Sequence, residues 1–393
     1  MHPPNKFGSR FRTYVLESTC TAAVETLEIY TYLSEFTCKL VNAGDIAAIE
    51  LSHPNTLMME WTTMATTLSV FNNKGGVGKT TYMFHIAHVL ARRGHRVLLV
   101  DCDTQGNLTN YCLNDDEIAE AWKDDGNSIY RVVEPIIRGT GDITTPSPSK
   151  LSQAEGDIYL VPGDLRLSDF EDRLGDTWNA ARGGDEASLR VQSAIHRYID
   201  AAVSATNATV VLIDMGPNLG ALNRAVLASS DYFMTPVAPD LFSIQGTENL
   251  GNKLVAWRSQ WDQIHTSWTG SHLSLPKGAP IYLGYVLQMH NTRSTDASGM
   301  TAGWRIYKDR LEAAIATNIV GKIPDDQTFT WDDGNHLLGQ IPNLHSLVPY
   351  SQEARKPIFD CTGKDGLRGA HQTKAKESID LFDDIVAAIE NVL

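Results

Sequence analysis

One stretch constrains the fold of this chain more than any other. Residues 67–71 form a short β-prone run, and residues 80–93 read as a helix with Ile86, Val89 and Leu90 on its buried side and Gly94 as its stop. Between them lies Asn72-Asn73-Lys74-Gly75-Gly76-Val77-Gly78-Lys79-Thr80-Thr81. Glycines at 75, 76 and 78 allow unusual backbone dihedrals and a close approach to a ligand. Their N–H groups, added to the positive end of the following helix, make an anion nest. A lysine and a threonine follow the last glycine at the spacing a phosphate cradle needs: Lys79 for the β- and γ-phosphates, Thr80 for Mg²⁺. A glycine-rich turn that binds nothing has no need of either.

Two further strands end in carboxylates. Residues 96–100 are almost wholly apolar, as in a sheet covered on both faces, and run into Asp101-Cys102-Asp103-Thr104-Gln105-Gly106-Asn107. Residues 209–213 run into Asp214-Met215-Gly216-Pro217. Carboxylates at the carboxyl ends of strands beside a phosphate loop stand where Mg²⁺ and an attacking water must sit. Taken alone, each is also compatible with a turn or capping aspartate.

These motifs resemble those of the ParA/MinD family of deviant Walker A ATPases, closest to its ParA-type partition members. The resemblance rests on Lys-Gly-Gly-x-Gly-Lys-Thr at 74–80, on Asp-x-Asp-x-Gln-Gly-Asn at 101–107 and on the apolar strand ending at Asp214. It implies ATP and Mg²⁺ as cofactors, with Gly75, Gly76, Val77, Gly78, Lys79, Thr80 and Thr81 around the phosphates. Lys74 would be a second lysine that reaches the partner's nucleotide in an ATP-sandwiched homodimer. By the same resemblance Lys74, Lys79 and Asp103 serve catalysis, and Thr80, Asp101, Asp103 and Asp214 the magnesium shell. Pro342 and Asn343 would meet the adenine. Thr104 and Gly216 stand where the family usually has proline; Gly216 would loosen the loop after the third motif.

The rest of the chain alternates strands and helices. Strands are expected at 158–161, 232–237 and 281–287, and helices at 190–203, 218–228, 245–261, 300–316 and 375–392. That alternation predicts an α/β fold: a mainly parallel, doubly wound sheet of the P-loop NTPase type with helices on both faces. Residues 113–157, rich in Asp, Gly, Ser, Thr and Pro, read as a surface excursion. Residues 64–393 make the ATPase domain. Residues 1–63 read as a separate, partly helical extension, with helical spacing over 21–40 and a stop at 42–44. Because Met64 sits two residues before the first convincing strand, the extension reads as either a start-site artefact or a cap on the main domain.

Composition limits the partners. A formal net charge of −14 argues against a surface that is basic throughout. Family relatives bind nonspecific DNA through basic residues late in the domain, and here Arg293, Arg305, Lys308 and Arg310 are the candidates, an ordinary solvated helix being the other reading. His345 and Ser346 stand where the family often carries arginine, which weakens the DNA case. An adaptor of the ParB type would stimulate hydrolysis. No run reaches the roughly 18–20 apolar residues of a membrane span, and the acidic segment 375–393 does not suit a membrane anchor. A cytoplasmic location follows, nucleoid-associated if DNA binding holds. The five scattered cysteines read as reduced thiols. Only Cys112 lies between the second and third motifs, where the cluster-binding reductases of related fold need a cysteine pair, which argues against that reading.

Overall fold

The computed structural model describes residues 39–42, 47–50, 65–290, 302–331, 334–344 and 346–393. The chain divides into two units, residues 1–62 and 63–393. In the first, strands β1 (Lys39–Asn42) and β2 (Ala47–Glu50) pair antiparallel. Lys39 and Leu40, the end of the expected helix 21–40, are therefore extended; the rest of that helix lies outside the described residues.

The second unit is built on a sheet whose strands are β3 (Thr66–Val70), β4 (Val97–Cys102), β5 (Ser149–Lys150), β6 (Ile158–Val161), β7 (Val210–Met215), β8 (Tyr232–Val237), β9 (Ile281–His290) and β10 (Leu337–Pro342). Their order is β10-β9-β8-β3-β7-β4-β6-β5, parallel throughout except for the short edge strand β5. The chain leaves β3, places β4 two positions away, and later threads β7 into the gap. It then continues on the other side of β3 with β8. The reversal at β3 is a switch point, where open α/β sheets place ligands beyond the carboxyl ends of the strands.

Period-two alternation in the strands feeds two separate cores. In β4, Leu98, Val100 and Cys102 join one apolar cluster, and Val97 and Leu99 join the other. In β7, Val211, Ile213 and Met215 face the first, and Val210 and Leu212 the second. Helix α1 (Lys79–Arg92), α2 (Asn107–Cys112) and α3 (Asp115–Ala121) contribute to the second core. The first core takes α4 (Ile129–Arg138), α5 (Ser168–Arg182), α6 (Glu186–Gln192), α7 (Ala194–Thr206), α8 (Ala221–Ala228), α9 (Leu241–Ser267) and α10 (Ala302–Ile315). Helices α11 (Val348–Ala354) and α12 (Ala370–Ile389) return to the second. The doubly wound α/β sheet expected from the sequence is thus present.

Three expectations change. Residues 113–157 are not only surface: α4 buries Ile129, Val132 and Val133 completely. The polar composition hid two short helices, one begun by a capping box between Asn114 and Glu117. The helix expected at 190–203 is two helices that meet at Ser193. Helix α5 was not expected, although Phe170, Leu174, Trp178 and Ala181 bury one face at helical spacing.

Candidate functional site

The loop after β3 enters α1 through Gly76 and Gly78, with φ of 72° and 80°, values open to glycine at no steric cost. No acidic residue occupies the first turn of α1, so the positive end of a 14-residue helix is left for a ligand. Asn72 braces the loop. Its side chain donates to the carbonyl of Pro236 (2.6 Å) and accepts from the backbone N–H of Lys74 (2.9 Å).

A cavity of about 550 Å³ opens at this loop. One end is lined by Gly75, Gly76, Gly78, Lys79, Thr80, Thr81 and Asp103. Lys79 is 7% exposed, and its Nζ donates to the carbonyls of Asn72 and Lys74, each at 3.2 Å. Burial pulls its pKa below the ordinary lysine value, against the opposing charges of Asp214 and Asp103. Thr80 Oγ1 donates to Asp214 Oδ2 at 2.7 Å. Val77 is buried in the loop and does not line the cavity.

The sheet brings the carboxylates together. Asp214 lies level with Val70 of β3 on one side and with Asp101 of β4 on the other. Asp214 is fully buried, and burial, with Asp101 and Asp103 nearby, pushes its pKa up to about 8 despite the Thr80 hydrogen bond. Asp103 lines the cavity and accepts from the backbone N–H of Gln105 (3.0 Å).

Asp101, which the resemblance assigns to the magnesium shell, does not line the cavity, and neither does Asp214. Its Oδ1 accepts from the backbone N–H of Asp103 (3.1 Å), and its Oδ2 from the backbone N–H (2.8 Å) and hydroxyl (2.7 Å) of Thr109. The Thr109 hydroxyl in turn accepts from the Gly163 N–H (2.6 Å). Asp101 thus fastens the start of α2 behind Asp103. Burial lifts its pKa to about 6.

Gly216 sits in a loop tied to Asn223. Its carbonyl, with that of Asn218, accepts from the Asn223 side chain at 2.7 and 2.8 Å. A Cβ at 216 would sit 3.2 Å from Asp103 Oδ1, so the missing side chain leaves room for that carboxylate.

Lys74 does not line the cavity; its ammonium pairs with Asp240, which caps α9 by accepting from the Ser243 N–H (2.9 Å).

The other end of the cavity is largely apolar and aromatic, and its residues are scattered along the chain. Tyr82, Tyr111, Leu344, Val348 and Phe382 line it, with Gln288 and Gln352. Pro342 is in the wall and Asn343 is not; the Asn343 carbonyl accepts from Lys374 Nζ (3.1 Å). Gln288 is 4% exposed, and its Nε2 has no partner among the described residues. A glutamine near the end of an apolar strand was the available signal. His85 joins the two ends. Its Nε2 accepts from the Ile358 N–H (2.8 Å), so Nδ1 carries the proton that it donates to the Thr81 carbonyl (2.6 Å). The ring stacks on Phe382 with centres 4.6 Å apart. Burial holds the pKa of His85 down to about 4 and that of His88 down to about 3.

The basic candidates are not gathered at the cavity. Arg305, Lys308 and Arg310 lie on α10, where Lys308 pairs with Glu312 and Arg310 lies over Tyr307. Arg293 and His345 lie outside the described residues. Among the described residues no helix is long and apolar enough to cross a membrane, and Cys102, Cys112 and Cys361 are free thiols.

The donors around Thr80 and Asp214 are hard oxygens, and the Asp214 carboxylate is fully buried beside the Lys79 ammonium. That set suits Mg²⁺, which takes one or two protein oxygens and completes its shell with phosphate and water. Among the described residues no cluster of three or more Asp, Glu, His or Cys forms an all-protein metal cage.

A family model described as an AAA domain matches residues 65–264. The chromosome partitioning protein ParA of Caulobacter vibrioides is 30% identical over 184 residues, covering 47% of this chain and 60% of that protein. The chain's matches span about 41% to 64% of the length of the curated relatives. Among solved structures, protein DIP2308 from Corynebacterium diphtheriae superposes with a TM-score of 0.59 at 28% identity, covering 74% of this chain and 97% of that one. The structure of pNOB8 ParA bound to nonspecific DNA shares the fold at a TM-score of 0.52 and 18% identity, covering 84% of this chain and 100% of that one.

Proposed function

Because this chain belongs to the ParA/MinD family of P-loop ATPases, we propose that it is an ATP-dependent dimerising ATPase that couples ATP binding and hydrolysis to the segregation of DNA. ATP binding and hydrolysis are the family's common chemistry. The observation that carries the proposal is the pair of lysines in one loop: Lys79 folded inward over the loop carbonyls, and Lys74 held outside the cavity wall by Asp240. One lysine suffices to hold a phosphate within a single chain. A second, directed away from the cavity, suits a nucleotide shared between two copies.

In this proposal the amides of the loop and of the start of α1 hold the phosphates, and Lys79 leaves the loop carbonyls for the terminal phosphate. Thr80 and Asp214 would hold Mg²⁺, which when bound neutralises charge on the phosphate oxygens. Asp103, oriented by Gln105 and backed by Asp101, would orient the attacking water. Gln288 and Pro342 would meet the base. Closure would be a population shift toward the dimer, since ATP favours that state. A partner of the ParB type would trigger hydrolysis and return the monomer.

A second reading, an ATP-gated switch that positions another protein complex without DNA, draws on two observations. The chain is acidic, and Lys308 is already neutralised by Glu312. Sedimentation with duplex DNA, in ATP or in ADP, separates the two. DNA segregation predicts retention that requires ATP and fades with salt; no retention at low salt leaves the protein-positioning switch. Lys74→Ala should spare nucleotide binding and weaken ATP-driven dimerisation in sedimentation velocity. An unchanged dimer would remove Lys74 from the interface.

A further inference from the structure

The two lysines of the phosphate loop are linked through the backbone. Lys79 Nζ donates to the Lys74 carbonyl (3.2 Å), and the Lys74 N–H donates to the Asn72 side chain (2.9 Å), itself tied to Pro236 of β8. Both backbone groups of Lys74 are thus occupied, while its ammonium pairs with Asp240 of the same chain. Asp240 uses its two oxygens separately. Oδ1 accepts from the Ser243 N–H and caps α9, and Oδ2 accepts from Lys74. The early turns of α9 also keep close to the loop, since a Cβ on Gly246 would lie 2.9 Å from Asn73 Oδ1.

Lysine carries one compact charge on a flexible stem. Asp240 and the phosphates of a second copy's nucleotide are therefore rival anions for the Lys74 ammonium. The two side chains are 30% and 33% exposed, so the pair is weak enough to be broken by a better anion. We propose that Asp240 is a positioning residue that stores Lys74 within its own chain and so sets the protein concentration at which ATP assembles the dimer. The proposal rests on the reading of Lys74 as the lysine shared between two copies.

Filling the pocket begins the release. When Lys79 leaves the Lys74 carbonyl for the terminal phosphate, the segment that presents Lys74 loses one of its ties, so a protomer with an empty pocket holds its second lysine back. A protomer whose lysine is stored is not competent to assemble, and the apparent affinity falls by the released fraction. For an exposed pair that amounts to about two- to fivefold in each protomer. A dimer needs two released lysines, so the effect is squared, to about four- to twenty-fivefold.

The test is Asp240→Asn, because asparagine caps a helix as well as aspartate does and removes the charge. Sedimentation velocity over a range of protein concentrations, with Mg²⁺ and a non-hydrolysable ATP analogue, is expected to give a dimer dissociation constant about four- to twenty-fivefold lower than that of the unsubstituted chain. Asp240→Ser, which also keeps a cap, should repeat the gain. In a Lys74→Ala background Asp240→Asn should change nothing. An unchanged or weaker dimer in Asp240→Asn, or a gain that persists without Lys74, overturns the proposal and leaves the shared lysine standing. An unchanged dimer in Lys74→Ala alone removes the shared lysine and this proposal with it, so the two failures are told apart.

Discussion

At the two ends of the main cavity the same chain solves binding in different ways. The phosphate end takes Gly75, Gly76, Gly78, Lys79, Thr80 and Thr81 from a single loop and the start of its helix, with Asp103 and Asp214 brought near by adjacent strands. The aromatic end has no such continuity: Tyr111, Gln288, Pro342, Gln352 and Phe382 come from α2, β9, β10, α11 and α12. Backbone amides in a fixed loop discriminate charge and tolerate few alternatives. A wall assembled from five elements depends on the packing of the whole second core, so its shape is a tertiary property. The first end should therefore respond to substitution in large local steps, and the second in small steps or through stability.

The largest effect expected is that of Lys79→Ala. Losing a charge-assisted contact to phosphate should weaken nucleotide binding by roughly a hundredfold, measured by titration with a fluorescent ATP analogue. Retained affinity would mean that the loop amides alone hold the ligand. Asp103→Ala should leave affinity nearly intact and lower single-turnover hydrolysis by about a hundredfold, trapping the ATP-loaded form; normal turnover would assign the water to another group.

Acid should reach the aromatic end through His85 and His88. Both stay neutral in the fold, to about pH 4 and about pH 3 respectively. The unfolded chain takes up protons near the ordinary histidine value of about 6.5. Stability contributed by the neutral rings is thus complete above about pH 6.5 and is lost as pH falls toward the folded values. Between about pH 6.5 and pH 5 the loss should be on the order of 2–4 kcal/mol, read from urea midpoints. His85→Gln should roughly halve the slope. The smallest effect is expected of Gln288→Ala, about three- to tenfold in nucleotide affinity with little change in the rate of hydrolysis. A hundredfold loss there would erase the contrast between the two ends.

The same contrast explains what could be read in advance. The phosphate loop and both carboxylate strands were legible because their residues are neighbours in sequence and their chemistry depends on local spacing. The positions of β6 and β8 were legible because apolar runs bounded by polar residues leave few alternatives. What escaped depends on long-range packing. Nothing near Asp101 in sequence announces that Thr109 and Gly163 enclose it, and Gly216 next to Asp103 is a contact between separate strand ends. Helix α5 was not among the expected elements, although Phe170, Leu174, Trp178 and Ala181 lie at helical spacing. The base-contact expectation held Pro342 and Asn343 together, and of the two only Pro342, the last residue of β10, is in the wall.

The separation of the two cores has a consequence for how this molecule can vary. In β4 and β7 alternate side chains belong to different clusters, while the last turns of both strands deliver the carboxylates. Inserting or deleting a single residue inside either strand would exchange its two sets of side chains between clusters of different shape. It would also move an aspartate by one rung, to the wrong side of its neighbour. Length within these strands is therefore locked twice, by volume and by charge.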